Sequence, residues 1–325
     1  MSKKPNSPKA PKRSGRQPKM ERAAPSAMPS RLSMDKTMAD LSKILASQQF
    51  ESIDEANAFL QNMLSNNGGR IPELAPETPL ERAQMLMAQA HEEASPKRQA
   101  ALAKQALDLS PDCADAYCLL AELDPSPARK LDFLEQAVAA GERALGPEPF
   151  SESIGHFWGV VETRPYMRSL AGLAELSWVL GNRARAIEIY TRILELNPSD
   201  NQGVRYSLAT CLLEEHTPQA EVALHKLLSD YPNDSAANWA YSRALLSFQQ
   251  EGGSNLAAQQ MLKQAIKINP HIPKYLLGDR RMSAELPRYV GFGDDSEAIE
   301  YAAFAIRAWT QTPGAIAWLR AHCDS

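Results

Sequence analysis

The sequence predicts an all-α solenoid, a right-handed superhelix of stacked helical hairpins preceded by a basic arm. Three observations carry this. Apolar residues recur at three- and four-residue intervals through most of the 325-residue chain. Proline and alanine positions repeat at a spacing of 34 residues. Only 16 glycines accompany a 44% hydrophobic content, which is low for an all-β chain.

The arm is residues 1–33. Residues 1–36 carry ten Lys/Arg against Glu21 and Asp35, a net of +8; the whole chain is at −4, so −12 falls on the remainder. Six prolines (Pro5, Pro8, Pro11, Pro18, Pro25, Pro29) and almost no large apolar residue precede Leu32. Such a stretch cannot offset the ~1–2 kcal/mol per residue that ordering a backbone costs, so it is expected to be disordered.

Residues 34–66 predict a separate helical hairpin. Met34, Met38, Leu41, Ile44 and Leu45 mark its first helix, and Ile53, Ala56, Phe59, Leu60, Met63 and Leu64 its second. Ser52 is placed to cap that second helix, with Glu55 completing a capping box. A linker over 67–79 follows, with Gly68-Gly69, Pro72, Pro76 and Pro79.

The repeat occupies residues 80–325. The run AGLAELSWVLGNRARAIEIYTRILELNPSD reads as two amphipathic helices split at Gly181-Asn182 and stopped by Asn197-Pro198. Pro198 to Pro232 is 34 residues, as is Ala186 to Ala220. Further units end at Pro111 and Pro270, a shortened one spans Asp115 to about Ala140, and an insertion falls at Glu251–Ser254. The segments KYLLG and SEAIEYAAFAIRAW are expected to form a degenerate last pair that caps the stack. Five to six hairpins result, each burying its apolar flank against its neighbours.

At Leu170, Leu173, Ala174, Gly181, Ala186, Tyr190, Leu194 and Pro198 the chain resembles the tetratricopeptide repeat (TPR) family. The resemblance implies a TPR-like fold whose first helices line a concave face. A second resemblance lies in NPHIPKYLLG (Asn269–Gly278), DDSEAIEYAAFAIRAW (Asp294–Trp309) and PGAIAWL (Pro313–Leu319). These runs are similar to the terminal region of the suppressor-of-tumorigenicity-seven family. That likeness implies an intracellular or membrane-associated repeat protein with no established enzymatic activity.

Composition excludes several classes. No run of 18 uncharged apolar residues occurs, so no membrane-spanning helix is expected. The opening residues lack an apolar core of a secretory signal. Cys113, Cys118, Cys211 and Cys323 are too few and too scattered for a disulfide framework or a four-ligand zinc site, so reduced thiols and a cytoplasmic location are expected. Cys113 and Cys118 miss the zinc-knuckle spacing, and Gly291-Phe292-Gly293 runs into Asp294-Asp295, which would repel a phosphate. Those acids suit a helix N-terminus instead, with Ser296 as its cap. No metal, cofactor or catalytic constellation is expected.

Two places stand out for binding. In Ser151–Ser169, four aromatics (Phe150 just before it, Phe157, Trp158, Tyr166) crowd together with His156, Glu162, Arg164 and Arg168. This segment either plugs the groove or lines a ligand site, with Glu162 pairing Arg164 or Arg168. A His156–Glu162 acid/base pair finds no further support. The other place is the concave face. Register counting puts Arg168, Glu175 and Trp178 there in one repeat, Gln202, Arg205 and Ala209 in the next, and Trp239 and Arg243 in a third. Arg168, Arg205 and Arg243 recur at 37 and 38 residues. They either ladder along one face for a partner's carboxylates or pair with neighbouring acids.

The expected function is therefore a non-catalytic adaptor that binds a protein or peptide segment in its groove. The alternative is a nucleic-acid-associated factor that uses the basic arm.

Overall fold

The structure is a computed structural model that describes residues 31–283, 285–287 and 289–323. The expected arm lies outside them, except that residues 31–33 form the first turn of a helix. In order the helices are α1 (Arg31–Ala46), α2 (Ile53–Asn66), α3 (Pro79–Glu92), α4 (Pro96–Leu109), α5 (Ala114–Leu123), α6 (Pro127–Leu145), α7 (Pro149–Glu152) and α8 (Arg164–Val179). There follow α9 (Arg183–Leu196), α10 (Val204–Glu215), α11 (Pro218–Asp230), α12 (Ala237–Glu251), α13 (Leu256–Ile268), α14 (Ile272–Leu276), α15 (Asp295–Gln311) and α16 (Ala315–Cys323). Among the described residues there is no strand.

Local chemistry sets the helix ends. Four helices open on a Ser/Thr-Pro step (Thr78-Pro79, Ser95-Pro96, Ser126-Pro127, Thr217-Pro218), because proline fits the first helical position, where an N–H has no partner. The hydroxyls of Thr78 and Thr217 accept hydrogen bonds from the Glu81 and Ala220 amides. Ser52 accepts from the Glu55 amide as expected, while the Glu55 carboxylate turns to the amide of Glu51. At α15 the cap is Asp294, which accepts from the amides of Ser296 and Glu297, and not Ser296. Helices α9, α11 and α13 stop two residues before Pro198, Pro232 and Pro270.

The stack is five pairs, α3/α4, α5/α6, α8/α9, α10/α11 and α12/α13, each packed on the next. Alanines at the crossings (Ala83, Ala90, Ala103, Ala106) let the first pair close tightly around Met87. A larger core runs from Phe157 to Leu319 and contains Trp239, Tyr241, Tyr301 and Trp309.

Two elements depart from expectation. The residues KYLLG end the short α14, which packs against α15, and α15 also folds back onto the first helices α10 and α12. Its apolar residues fix that choice. Tyr301 lies 5.6 Å and Trp309 6.3 Å from the Tyr241 ring, and Trp309 Nε1 donates to the Tyr301 hydroxyl at 2.9 Å. Glu297, buried, accepts from the amides of Ala237 (2.8 Å) and Gly293 (2.7 Å) and from Asn269 Nδ2 (3.0 Å). Helix α10 is thereby covered on all sides, with Leu208 through Glu214 buried in succession. The second departure is α1. It does not stand apart in a hairpin with α2 but packs on α3 and on the 3-10 turn Val161–Thr163.

Gly141 of α6 marks a close approach of two helix backbones. A Cβ there would lie 2.9 Å from Tyr166 Cβ and 3.1 Å from Tyr166 Cα, and the backbone of α8 cannot yield as a side-chain tip can. We therefore expect Gly141→Ala to destabilise the protein by about 1–3 kcal/mol despite alanine's better helix propensity. Gly159→Ala, with open space around it, should shift stability by less than ~0.5 kcal/mol. Chemical denaturation of the two variants checks this.

Candidate functional site

The first helices α3, α5 and α8 form one wall, and α1 lies across it. Their polar residues meet at Arg164 and Arg168, one turn apart on α8. Arg168 grips Asp115 with two parallel hydrogen bonds, Nε to Oδ1 and Nη2 to Oδ2, both 2.9 Å. Its remaining nitrogen, Nη1, reaches Asp35 Oδ2 of α1 at 2.6 Å, and Arg164 Nη1 reaches Asp35 Oδ1, also at 2.6 Å. One carboxylate is thus held between two guanidiniums. Arg164 is itself steadied by the Trp158 carbonyl (3.0 Å) and lies over the Trp158 ring. Burial alone would lower the Arg168 pKa, but the charges and hydrogen bonds of Asp115 and then Asp35 outweigh it and raise it.

The ion pair expected from Glu162 does not form. Glu162 is exposed, and its place beside both arginines is taken by Asp35, 129 residues from Arg164 in the chain. Sequence spacing favoured the neighbour, whereas the fold delivers an acid from another helix. The aromatics of the same segment are packed on each other: Phe150 lies 5.3 Å from both Phe157 and Tyr166, and Phe157 is fully buried. His156 stands exposed at the edge of this plug.

The other expected residues separate into two groups. Arg168 and Glu175 line an open groove of about 580 Å³ bounded by α3, α5, α6 and α8, with Cys118, Glu122 and the exposed Val179. Trp178 is half-buried under the Arg183 guanidinium, 4.8 Å away. The rest are tied into the scaffold. Trp239 is 1% exposed, its Nε1 donating to the Tyr231 carbonyl. Arg205 bonds Asp200 (2.9 Å) and Asp234 (2.7 Å) and lies over the Tyr206 ring, while Arg243 donates to the Leu228 carbonyl. Gln202 donates to the Met167 carbonyl. The three arginines form no ladder of unpaired guanidiniums, because Arg205 and Arg243 bond within the stack and Arg168 bonds Asp115 and Asp35 of α1.

Sequence reasoning missed Asp35 and Asp115. The available signal was modest: Asp35 is one of two acids in a stretch of net +8, and Asp115 opens the shortened repeat. It also missed the pairing of Lys43 on α1 with Glu81 on α3 at 2.8 Å. The Glu81 carboxyl is pushed up by burial, but the Lys43 hydrogen bond and the amides of Glu77 and Thr78 hold it below the ordinary value. Lys43 is raised, chiefly by the hydrogen bond to Glu81.

The signs follow. Glu81 stabilises the docked α1 fully above the ordinary carboxyl value of ~4.3, and that contribution is lost as pH falls through its lowered value. Lys43 contributes fully below ~10.4 and loses its contribution as pH rises through its raised one. An NMR titration of the Glu81 side-chain carboxyl carbon should give a midpoint below ~4.3 that moves upward in Lys43→Met.

Three comparisons bear on kinship. The ST7 protein family model matches residues 238–325, the part that holds α15 and α16. Protein ST7 homolog of Drosophila melanogaster is 27% identical over 261 residues, covering 73% of this chain and 48% of that protein. Suppressor of tumorigenicity 7 protein-like of Homo sapiens is 29% identical over 251 residues, covering 71% of this chain and 43% of that protein. The chain thus spans less than half the length of these relatives. Among solved structures, YrrB, described as a TPR protein with an unusual peptide-binding site, aligns with a TM-score of 0.40 at 21% identity over 66% of this chain and 93% of its own. Among the described residues no helix is long and apolar enough to cross a membrane. The ST7 resemblance seen at residues 269–319 is supported, and it extends from there over most of the chain.

Proposed function

We propose that this chain is a non-catalytic adaptor that holds a protein or peptide segment on the face formed by its first helices. The observation that carries the reading is the open groove beside α1, where Glu175 and Val179 stand exposed on a rigid wall of stacked helices. A concave surface of this size, lined by charges of both signs between apolar residues, suits recognition of a polypeptide segment. The chemistry near it argues against catalysis. The Cys118 thiol is pushed up to about 12 by burial and then by the Asp115 charge, the opposite of an activated nucleophile. Cys113 is likewise pushed up to about 12, mainly by burial. Cys113, Cys118 and Cys211 form no disulfide, which suits a reducing, cytoplasmic setting.

A second reading, nucleic-acid contact, rests on the +8 charge of residues 1–36. It requires that the full chain be retained on RNA or DNA at low salt and that removal of residues 1–30 abolish retention.

The adaptor reading is tested with a Glu175→Arg/Val179→Asp double variant. Both sites are exposed, so thermal stability should stay within a few degrees while proximity labelling loses part of the wild-type partner set. An unchanged set removes the groove from the account.

A further inference from the structure

We infer that α1 is a removable cover on the first-helix face, and that the surface beneath it takes a partner's helix bearing a carboxylate four residues before a large apolar side chain. This deepens the adaptor reading and rests on it. The first support is charge. Without Asp35, Arg164 Nη1 and Arg168 Nη1 face a common point with only Asp115 to balance them, so the site demands an anion. All three side chains are largely sheltered from water, at 15%, 21% and 16% exposure for Arg164, Arg168 and Asp35.

The second support is poor fit. The face that α1 turns to the wall is Leu32, Asp35, Lys36, Ala39, Asp40 and Lys43, mostly polar or small. Beneath it lies a cavity of about 190 Å³, larger than the ~150 Å³ void that admits benzene. Its other walls include Leu80, Cys113, Ala144, Leu145 and Val161. Ala39, one turn after Asp35, faces this apolar space with a single methyl group. Meanwhile Met34 and Met38 point outward, 51% and 42% exposed, and the sole buried residue of α1 is Asp40. The cover satisfies the arginines and leaves the apolar floor unfilled; a ligand with the acid of Asp35 and a larger side chain at the next turn satisfies both.

The test uses the full chain and a fluorescent peptide of the α1 sequence (residues 31–46), with binding read by anisotropy. A chain carrying Asp35→Asn, which loosens its own cover, should bind the peptide at least tenfold more tightly than wild type does. The peptide with Asp35→Asn should lose that gain, and the peptide with Ala39→Leu should bind several-fold tighter than the unmodified one. In the opposite sense, Ala39→Leu in the full chain should tighten the cover and weaken peptide binding several-fold. Equal binding by wild-type and Asp35→Asn chains, or equal binding of Asp and Asn peptides, overturns the inference. So does a wild-type dimer in sedimentation that Asp35→Asn dissociates, which would assign the arginines to a second copy. If the peptide behaves as stated but the Glu175→Arg/Val179→Asp chain keeps all its partners, the cover stands and the adaptor reading falls; the reverse pattern spares the adaptor and removes the cover.

Discussion

Each helical pair in this chain buries one flank of its first helix against its neighbours and leaves the other flank facing outward. How that exposed flank is closed governs the rest of the structure. At the C-terminal end the answer is apolar. Helix α15 lays Tyr301 and Trp309 on α12, and each fully buried side chain of that size is worth ~1.5–3 kcal/mol. At the N-terminal end the answer is charge. Helix α1 fully buries no large apolar side chain, packs only the partly buried Leu32 on the core, and holds to the wall through Asp35 and the Lys43–Glu81 pair. The Lys43–Glu81 pair near solvent contributes ~0–1 kcal/mol, and the sheltered Asp35 pairs offset their attraction with the cost of taking charges out of water, a cost the apolar contacts of α15 do not carry.

Arg168 links the scaffold to the site. Its two-pronged grip on Asp115 joins α8 to α5 across successive pairs, while its third nitrogen reaches Asp35 of α1. Arg205 shows the contrasting case at the corresponding place one repeat on. Asp200, Asp234 and the Tyr206 hydroxyl occupy its nitrogens, and the Trp239 ring completes the cluster from within. Arginines at equivalent register thus hold a covering helix in one repeat and bind the stack together in the next. What differs is where the second acid comes from: Asp35 belongs to α1, outside the stacked pairs, whereas Asp200 and Asp234 both lie in loops of the stack itself.

The paired helices were legible because their signals are local: proline stops 34 residues apart, Ser/Thr-Pro starts, and the turn glycine Gly181, whose φ of 84° suits no residue better. The identity of the arginine-rich region was legible too, as a crowding of Trp158, Arg164 and Arg168. Its partner was not. Asp35 lies more than a hundred residues away, and nothing in a helical period says which wall a helix with weak apolar content will choose. The fold-back of α15 was hidden for a related reason. SEAIEYAAFAIRAW reads equally well as the end of a stack or as a lid on its inner side, and only the aromatic match of Tyr301 and Trp309 to Tyr241 selects the lid. Register placed Trp239 on the open face for a like reason, since the Tyr206 and Tyr231 rings that pack on it lie outside its own repeat.

The central claim is that the two covers of one face have unequal strength. Native-state hydrogen exchange on the intact chain measures this directly. The account predicts that α1 amides exchange through a local opening far less costly than global unfolding, while α15 amides exchange only with the whole C-terminal core. Equal protection of α1 and α15 would contradict it.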